Sequence, residues 1–338
     1  MRFQDVAIAS VSYVLPTTVV RTRDLEARLA PLYRSLGMRP GWLETVTGIQ
    51  ERRFWAPGVK PSQVAALAGR KALQQAGLST ADIGALAYTG VCRDYLEPST
   101  AALAHGELGL PPEALNFDVG NACLGFLSGM TLCASLIEGG RLPAALVVAG
   151  ESSRDVVEAT MARLTAPAAG IAAFKDNLAT LTLGSAAVAM VLVHASRART
   201  THRFLGGVTH AATEHRGLCI GTEERMVTDA PKLLAEGVAL AGRTWRAAEQ
   251  AMGWNPLGFA EYATHQVGAA NYNAVLSSLG LPKERALKVY PTLGNCGAGA
   301  APMALAMAVE QGRVRAGQEA VLMGIGSGLN CSIMGVRW

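Results

Sequence analysis

The segment FDVGNACLGFLSGM, residues 117–130, changes from an extended stretch to a helical pattern within a few residues. The apolar residues around Phe117 give way to small and polar residues near Asn121, and apolar residues recur from Leu124 onward at helical spacing. The segment therefore predicts a strand, a turn and a helix, with Cys123 at the start of the helix. Parallel α/β folds place functional residues at strand-to-helix junctions of this kind.

The rest of the chain repeats this alternation of apolar runs and helical patterns. We predict buried strands at residues 5–15, 83–91, 144–151 and 186–193, strand-like segments at 259–266 and 318–328, and helices at 61–78, 123–140, 233–253 and 301–314. The alternation favours an α/β architecture with buried sheets. The similarity between AALVVAGES and EAVLMGIGSG hints at a duplicated unit. Residues 152–176 interrupt the alternation as an inserted excursion, a candidate cover for an active site.

The composition includes enough hydrophobic residues to form a large buried core. Half of the 338 residues are hydrophobic and 17% are charged, which is far from a disordered composition. The formal net charge of +4 is small and no run of five Lys or Arg residues occurs, so nucleic acid is not an expected partner. A mild basic excess suits an anionic small substrate.

Neither a membrane span nor a secretion signal is predicted. The most apolar stretch, residues 178–193, is shorter than the roughly 20 residues that a span needs, and Gly184 divides it. The N-terminus lacks a sustained apolar core, unlike a signal peptide. The six cysteines form no C-x-x-C pair and no zinc-ligand spacing with histidine. We therefore expect no metal site, and free thiols in a reducing cytoplasm.

Cys123 is the first candidate for chemistry. At a helix start, unpaired N–H groups and the helix dipole both favour a thiolate, so we expect a lowered thiol pKa and a reactive sulfur. Small residues on either side leave room for a substrate carbonyl to approach. Local sequence alone leaves two interpretations open, a nucleophile and a buried structural cysteine.

Two further candidates lie at predicted strand-to-helix junctions. His265 lies in YATHQVG, and Asn295 lies in YPTLGNCGAGAAP, where the density of small residues permits close backbone approach. Taken singly, each is better explained by a structural role. A thiol, an imidazole and an amide at three strand-to-helix junctions together suit acyl transfer, which needs a nucleophile, a proton carrier and donors for a carbonyl oxygen.

The motifs NACLG, THQVG, GNCGAGAAP and GIGSGLNC resemble those of the thiolase superfamily, in the order Cys, His, Asn of its ketoacyl synthase III-like branch. The resemblance runs over essentially the whole chain. The segments RDYLEPSTA (residues 93–101) and RMVTD (residues 225–229), with the terminal GIGSGLNCS, are similar to OleA-type thiolases, which condense two fatty acyl-CoA molecules head to head. The combination is specific, whereas any one motif alone is not.

The resemblance implies an α/β thiolase fold of two pseudo-duplicated halves in five layers, α-β-α-β-α, in a dimer. Residues 1–195 would form the half with the nucleophile and the excursion near 152–176. Residues 196–338 would form the half with the histidine and the asparagine. A homodimer is the expected assembly, and a heterodimer with a related chain is the alternative.

The resemblance also implies roles for the candidate residues. Cys123 would take an acyl group from coenzyme A. His265 and Asn295 would form one oxyanion hole, and the N–H groups of Cys123 and Ser327 would form another. Glu97 matches the family glutamate that reaches across the dimer, where it would remove the α-proton of the second acyl chain. Without the family match, Glu97 is better explained as a solvated loop acid.

The implied reaction is a non-decarboxylative Claisen condensation of two fatty acyl-CoA thioesters through an acyl-cysteine. The product would be a 2-alkyl-3-oxoalkanoic acid, a precursor of olefins or β-lactones, made without a metal or redox cofactor. The alternatives are a decarboxylative condensation with a malonyl thioester, a simple thioesterase, and a silent partner subunit of a heterodimer. Cys296 beside Asn295 and the alanine-rich excursion depart from the family, which leaves chain length and the second substrate open.

Overall fold

The computed structural model describes residues 1–222 and 225–338. The strands are β1 (Val6–Val14), β2 (Thr18–Arg21), β3 (Glu51–Phe54), β4 (Ala85–Tyr88), β5 (Leu115–Asp118), β6 (Ala144–Glu151), β7 (Ala186–His194), β8 (Arg203–Ala211), β9 (Cys219–Gly221), β10 (Met226–Thr228), β11 (Glu261–Thr264), β12 (Glu319–Gly326) and β13 (Asn330–Arg337). The helices are α1 (Thr22–Arg28), α2 (Ala30–Ser35), α3 (Trp42–Thr47), α4 (Pro61–Ala76), α5 (Thr100–Leu108), α6 (Gly125–Glu138), α7 (Arg154–Thr165), α8 (Ile171–Asn177), α9 (Ala230–Met252), α10 (Ala269–Ser278), α11 (Tyr290–Leu293) and α12 (Ala300–Glu310).

Among the described residues, nine strands form one sheet in the order β11-β12-β13-β8-β1-β7-β6-β4-β5. The two ends of this order repeat one pattern. The strand β6 pairs parallel with β4 and antiparallel with β7, which pairs antiparallel with β1. In the same way, β12 pairs parallel with β11 and antiparallel with β13, which pairs antiparallel with β8. The predicted duplication is therefore confirmed, and β6 and β12 are its equivalent strands.

Three layers of helices and the two halves of the sheet alternate to form five layers, as predicted. The helices α6 and α12 share a buried cluster with strands of both halves and form the central layer. The helix α4 packs on the outer face of the first-half strands, and α9 and α10 pack on the outer face of the second-half strands. Alternate residues of β1 face opposite layers, since Val6 and Ile8 contact the central cluster while Ala7 contacts the α4 side. Burial on both faces explains the continuous apolar runs of the sequence.

A direct pairing joins the two halves. Ala7 of β1 pairs with Arg203 of β8, so the sheet continues from one half into the other. The division at residues 195 and 196 falls between the end of β7 and the start of β8. That division stays a prediction.

The excursion at residues 152–176 is helical and has its own apolar cluster. The helices α7 and α8 pack with α1, α2 and α3 around residues that include Leu25, Met161 and Phe174. The chain then reaches a 3-10 turn at Thr180–Thr182, and Gly184 separates this turn from β7. The apolar stretch at 178–193 is thus a turn and a strand. No helix within the described ranges is long and apolar enough to cross a membrane.

Candidate active site

Cys123 lies in a tight 3-10 turn, Ala122–Leu124, between β5 and α6. Ala122 has φ +44°, and no other non-glycine residue of the described chain has a positive φ. Such backbone conformations are costly for residues other than glycine and cluster at functional sites. The helix α6 begins at Gly125, where a Cβ would lie 2.2 Å from the backbone oxygen of Thr89. Only glycine permits this close approach, which fixes the turn against β4.

A pair of asparagines, one from each half of the fold, holds this turn. Asn330, the first residue of β13, donates from Nδ2 to Asn121 Oδ1 at 3.0 Å. Asn121 Nδ2 in turn donates to Ser128 Oγ at 2.9 Å. Neither asparagine carries a sequence signal for this role, because their contact joins positions far apart in the chain. Together they fix the backbone immediately before Cys123.

His265 follows β11 and is buried, with 6% of its surface exposed. Its backbone N–H donates to Met323 O at 2.7 Å, which ties it to β12. Burial lowers the pKa of the imidazole to about 4, and a hydrogen bond with the Gly297 backbone opposes this only in part. At neutral pH the imidazole is therefore uncharged, and one of its ring nitrogens can donate a hydrogen bond while the other can accept one.

Asn295 is held by backbone bonds on both sides. Its N–H donates to Thr182 O at 2.8 Å, and its C=O accepts from Gly184 N–H at 2.9 Å. Its side-chain Oδ1 accepts from the N–H of Gly297 at 3.0 Å. The amide Nδ2 makes no hydrogen bond to another described residue, so it is the group left to donate to a substrate oxygen.

The end of β12 and the loop between β12 and β13 close the site. The Cβ position of Gly326 lies 3.5 Å from Cys123 N, and that of Gly324 lies 3.0 Å from His265 Cβ. Ser327 is partly buried in the same loop. The turn that carries Cys123 also contacts the turn at Gly297–Gly299, directly after Asn295. The fold thus brings Cys123, His265, Asn295 and Ser327 to one place.

Glu97 is placed apart from this group. It is exposed on the loop before α5 and makes no hydrogen bond or ion pair to another described residue. Its neighbours Tyr95 and Leu96 are also exposed, at 50% and 85%. A single chain therefore leaves Glu97 and two adjoining apolar side chains on the surface.

The expected lowering of the pKa of the Cys123 thiol is wrong. Burial, followed by the charge of Glu151 and by Cys219, raises the pKa of Cys123 to about 12, although the residue remains partly accessible. A helix N-terminus supplies roughly 0.3–1 kcal/mol, which is less than the ~1.4 kcal/mol that one pKa unit represents. The resting sulfur is a thiol, so its proton must leave during the attack on a substrate.

Glu151, which contributes to the raised pKa of Cys123, was not predicted as a site residue from the sequence. Glu151, at the end of β6, is 2% exposed and accepts backbone hydrogen bonds from two loops of the site. In the sequence it is merely the polar residue that ends a strand. Within residues 1–222 and 225–338, no group of three His, Cys, Asp or Glu side chains is placed to hold a metal ion.

Comparison with known proteins identifies relatives along the full chain. The family 3-oxoacyl-[acyl-carrier-protein] synthase III matches residues 117–211, and its C-terminal part matches residues 250–338. An acyl-CoA:acyl-CoA alkyltransferase from Xanthomonas campestris is 40% identical over 338 residues, covering 100% of both chains. One from Shewanella oneidensis is 41% identical over 350 residues, again covering 100% of both.

Solved structures are similar in fold as well. Cerulenin-bound OleA from Xanthomonas campestris superposes with a TM-score of 0.98 at 40% identity, covering 100% of this chain and 98% of that chain. Other structures of the same protein carry replacements of a glutamate, a cysteine or a histidine. Those three positions are spaced along that chain as Glu97, Cys123 and His265 are spaced here.

Proposed function

The chain belongs to the OleA-type acyl-CoA:acyl-CoA alkyltransferases, in the ketoacyl synthase III-like branch of the thiolase superfamily, and we propose that it joins two fatty acyl-CoA molecules by a non-decarboxylative Claisen condensation. Hydrolysis of the remaining thioester then gives a 2-alkyl-3-oxoalkanoic acid. The observation that carries this proposal is the convergence of Cys123, an uncharged His265 and the free amide of Asn295 on one buried site.

The first step is transfer of an acyl group to Cys123. The sulfur attacks the thioester carbon, the bond from that carbon to the coenzyme A sulfur breaks, and acyl-Cys123 and free coenzyme A result. The thiol proton passes through the uncharged imidazole of His265 to the leaving sulfur. The N–H groups of Cys123 and Ser327 are the donors proposed for the oxygen that gains charge in this step.

The second step forms the carbon–carbon bond. His265 and Asn295 Nδ2 donate to the thioester oxygen of the second acyl-CoA, which makes its α-proton more acidic. Glu97 of the partner subunit removes that proton, and the α-carbon attacks the acyl carbon on Cys123. The bond between the acyl carbon and the Cys123 sulfur breaks, the proton taken up by Glu97 passes to the departing sulfur and restores the thiol, and water later cleaves the coenzyme A thioester. These steps use no metal or redox cofactor.

A homodimer completes the site in this proposal. Support comes from the exposed apolar residues beside Glu97 and from β5, which forms one edge of the sheet and exposes 53% of Leu115. An edge strand with exposed apolar residues is a surface on which a second copy can pair. A cytoplasmic location is also part of the proposal, and the six free cysteines support it.

Mass spectrometry of the products tests the proposed reaction. The purified enzyme is mixed with acyl-CoA of several chain lengths, with and without malonyl-CoA. We expect a coupled 3-oxo acid from acyl-CoA alone, and no such product from Cys123→Ala. A product that forms only with malonyl-CoA would replace this proposal with decarboxylative condensation, and free fatty acid alone would replace it with thioester hydrolysis.

A further inference from the structure

Glu151 is a buried carboxylate that the proposed chemistry does not use. Its Oε1 accepts hydrogen bonds from the backbone N–H groups of Val91 and Ala298, both at 3.0 Å. Its Oε2 accepts from the backbone N–H of Cys92 at 3.2 Å. One side chain therefore holds two loops that are distant in sequence and come from opposite halves of the fold.

Both loops lead directly to proposed site residues. Val91 and Cys92 begin the loop that continues to Glu97, while Ala298 follows Asn295 by three residues. The Glu151 carboxylate thus lies at the junction of the loop that supplies the base and the loop that supplies an oxyanion donor.

The loop that follows Asn295 allows the Glu151 carboxylate to approach its backbone closely. Gly297 has φ +51°, and a Cβ there would lie 2.7 Å from Glu151 Oε1 and 2.8 Å from Cδ. Only glycine combines this backbone conformation with such close contact. The same Gly297 donates its N–H to Asn295 Oδ1 at 3.0 Å. The position of the Asn295 amide is therefore coupled to the position of the carboxylate.

The two oxygens of Glu151 face hydrogen-bond donors, which favour the ionised carboxylate, whereas burial disfavours it. Three backbone N–H groups and the thiol of Cys92 point at its two oxygens, and a carboxyl proton would find no acceptor among them. Burial is the larger effect and raises the pKa of the Glu151 carboxyl above its ordinary value, and these donors reduce that rise. The titratable groups that face it are the weak acids Tyr88, Cys92, Cys123 and Cys296. No ion pair to Glu151 occurs within the described residues.

We propose that Glu151 is a positioning residue that ties the loop leading to Glu97 to the loop carrying Asn295, so that base and oxyanion donor keep a fixed relation. This inference rests on the proposed function for the roles of those two residues. A second consequence follows from its charge. The charge of Glu151 contributes to the raised pKa of Cys123, so removal of this charge should make the sulfur more reactive while condensation becomes slower.

Glu151→Gln separates these effects, because glutamine keeps the shape and loses the charge. We expect faster hydrogen–deuterium exchange at residues 91–92 and at 297–298 together, and at least a tenfold loss of condensation. The rate of Cys123 alkylation by iodoacetamide at pH 8 should rise severalfold, because loss of the Glu151 charge lowers the pKa of this thiol. Peptide mapping of buried Cys133 reports whether the variant has unfolded, since it should stay unmodified.

Two further variants make the test specific. Glu26→Gln removes another buried carboxylate that accepts two backbone N–H groups, those of Gly41 and Leu43, and should leave Cys123 alkylation at the wild-type rate. Glu151→Asp keeps the charge but is too short to reach both loops. It should speed exchange in at least one loop without raising Cys123 alkylation, and it is the test that remains if Glu151→Gln does not fold.

Unchanged exchange at 297–298 in both Glu151 variants, or unchanged condensation by Glu151→Gln, would overturn the inference. Failure of the proposed function gives a different result. In that case the wild-type enzyme forms no coupled product, while Glu151→Gln still speeds exchange in both loops and still raises Cys123 alkylation.

Discussion

Acidification tests the burial of His265 through the stability of the protein. The pKa of this imidazole is about 4 in the folded state against an ordinary 6.5. Between these values the unfolded chain binds a proton that the folded protein does not, so the free energy of unfolding falls as the pH falls. The loss begins near pH 6.5 and is complete below pH 4. A single group with these two values costs about 2 kcal/mol of stability between pH 7 and pH 5.

The variant His265→Asn isolates this contribution. Urea denaturation of the wild type and the variant is measured at pH 7 and pH 5, at one protein concentration because the stability of the proposed dimer depends on that concentration. The other groups that titrate in this range, such as His202 with its lowered pKa, are present in both proteins and cancel. We expect the wild type to lose about 2 kcal/mol more than the variant on acidification. An equal loss in both would refute the uncharged, buried imidazole on which the proposed proton transfers depend.

The remaining predictions concern the turn that carries Cys123. Gly125→Ala places a Cβ 2.2 Å from the backbone oxygen of Thr89, so we expect a loss of at least about 2 kcal/mol in denaturation and loss of the acyl adduct. The control Gly106→Ala, in α5 with open space around it, should stabilise the protein by up to about 1 kcal/mol. Asn330→Ala removes the side chain that donates a hydrogen bond to Asn121. We expect acylation of Cys123 to slow about fivefold, the effect of one hydrogen bond. An unchanged acylation rate would mean that this hydrogen bond does not hold the turn.

The strands and helices that could be predicted from the sequence are those with continuous apolar runs or with typical residues at their first and last positions. The helix α4 illustrates this, because Pro61 begins it and Gly77, with φ +64°, ends it. The strand β8 was missed because Gly206 and Gly207 interrupt its apolar pattern. They are glycines because a Cβ at either one would meet another strand or the N-terminal backbone within 2.4 Å. This constraint comes from tertiary packing and has no local pattern.

The site shows the same limit. Cys123 follows β5 and His265 follows β11, so their proximity could be expected from α/β topology. The strand-to-helix junction predicted for Asn295 is wrong, because Asn295 follows the short helix α11, and backbone hydrogen bonds to Thr182 and Gly184 place it instead. The role of Glu151 depends on N–H groups at residues 91, 92 and 298, and only the folded chain brings these together. The raised pKa of Cys123 also depends on the folded chain. Burial and Glu151, a carboxylate distant in sequence, outweigh the lowering that a helix N-terminus alone would give.

The most direct test of the central claim is the mass of the intact protein after mixing with a long-chain acyl-CoA, combined with analysis of the products. The wild type should form the coupled 3-oxo acid, and Glu97→Ala should accumulate an acyl adduct that maps to Cys123 without forming that acid. Cys123→Ala should form neither. Coupled product from Glu97→Ala at the wild-type rate, or an adduct that persists in Cys123→Ala, would contradict the assignment of base and nucleophile.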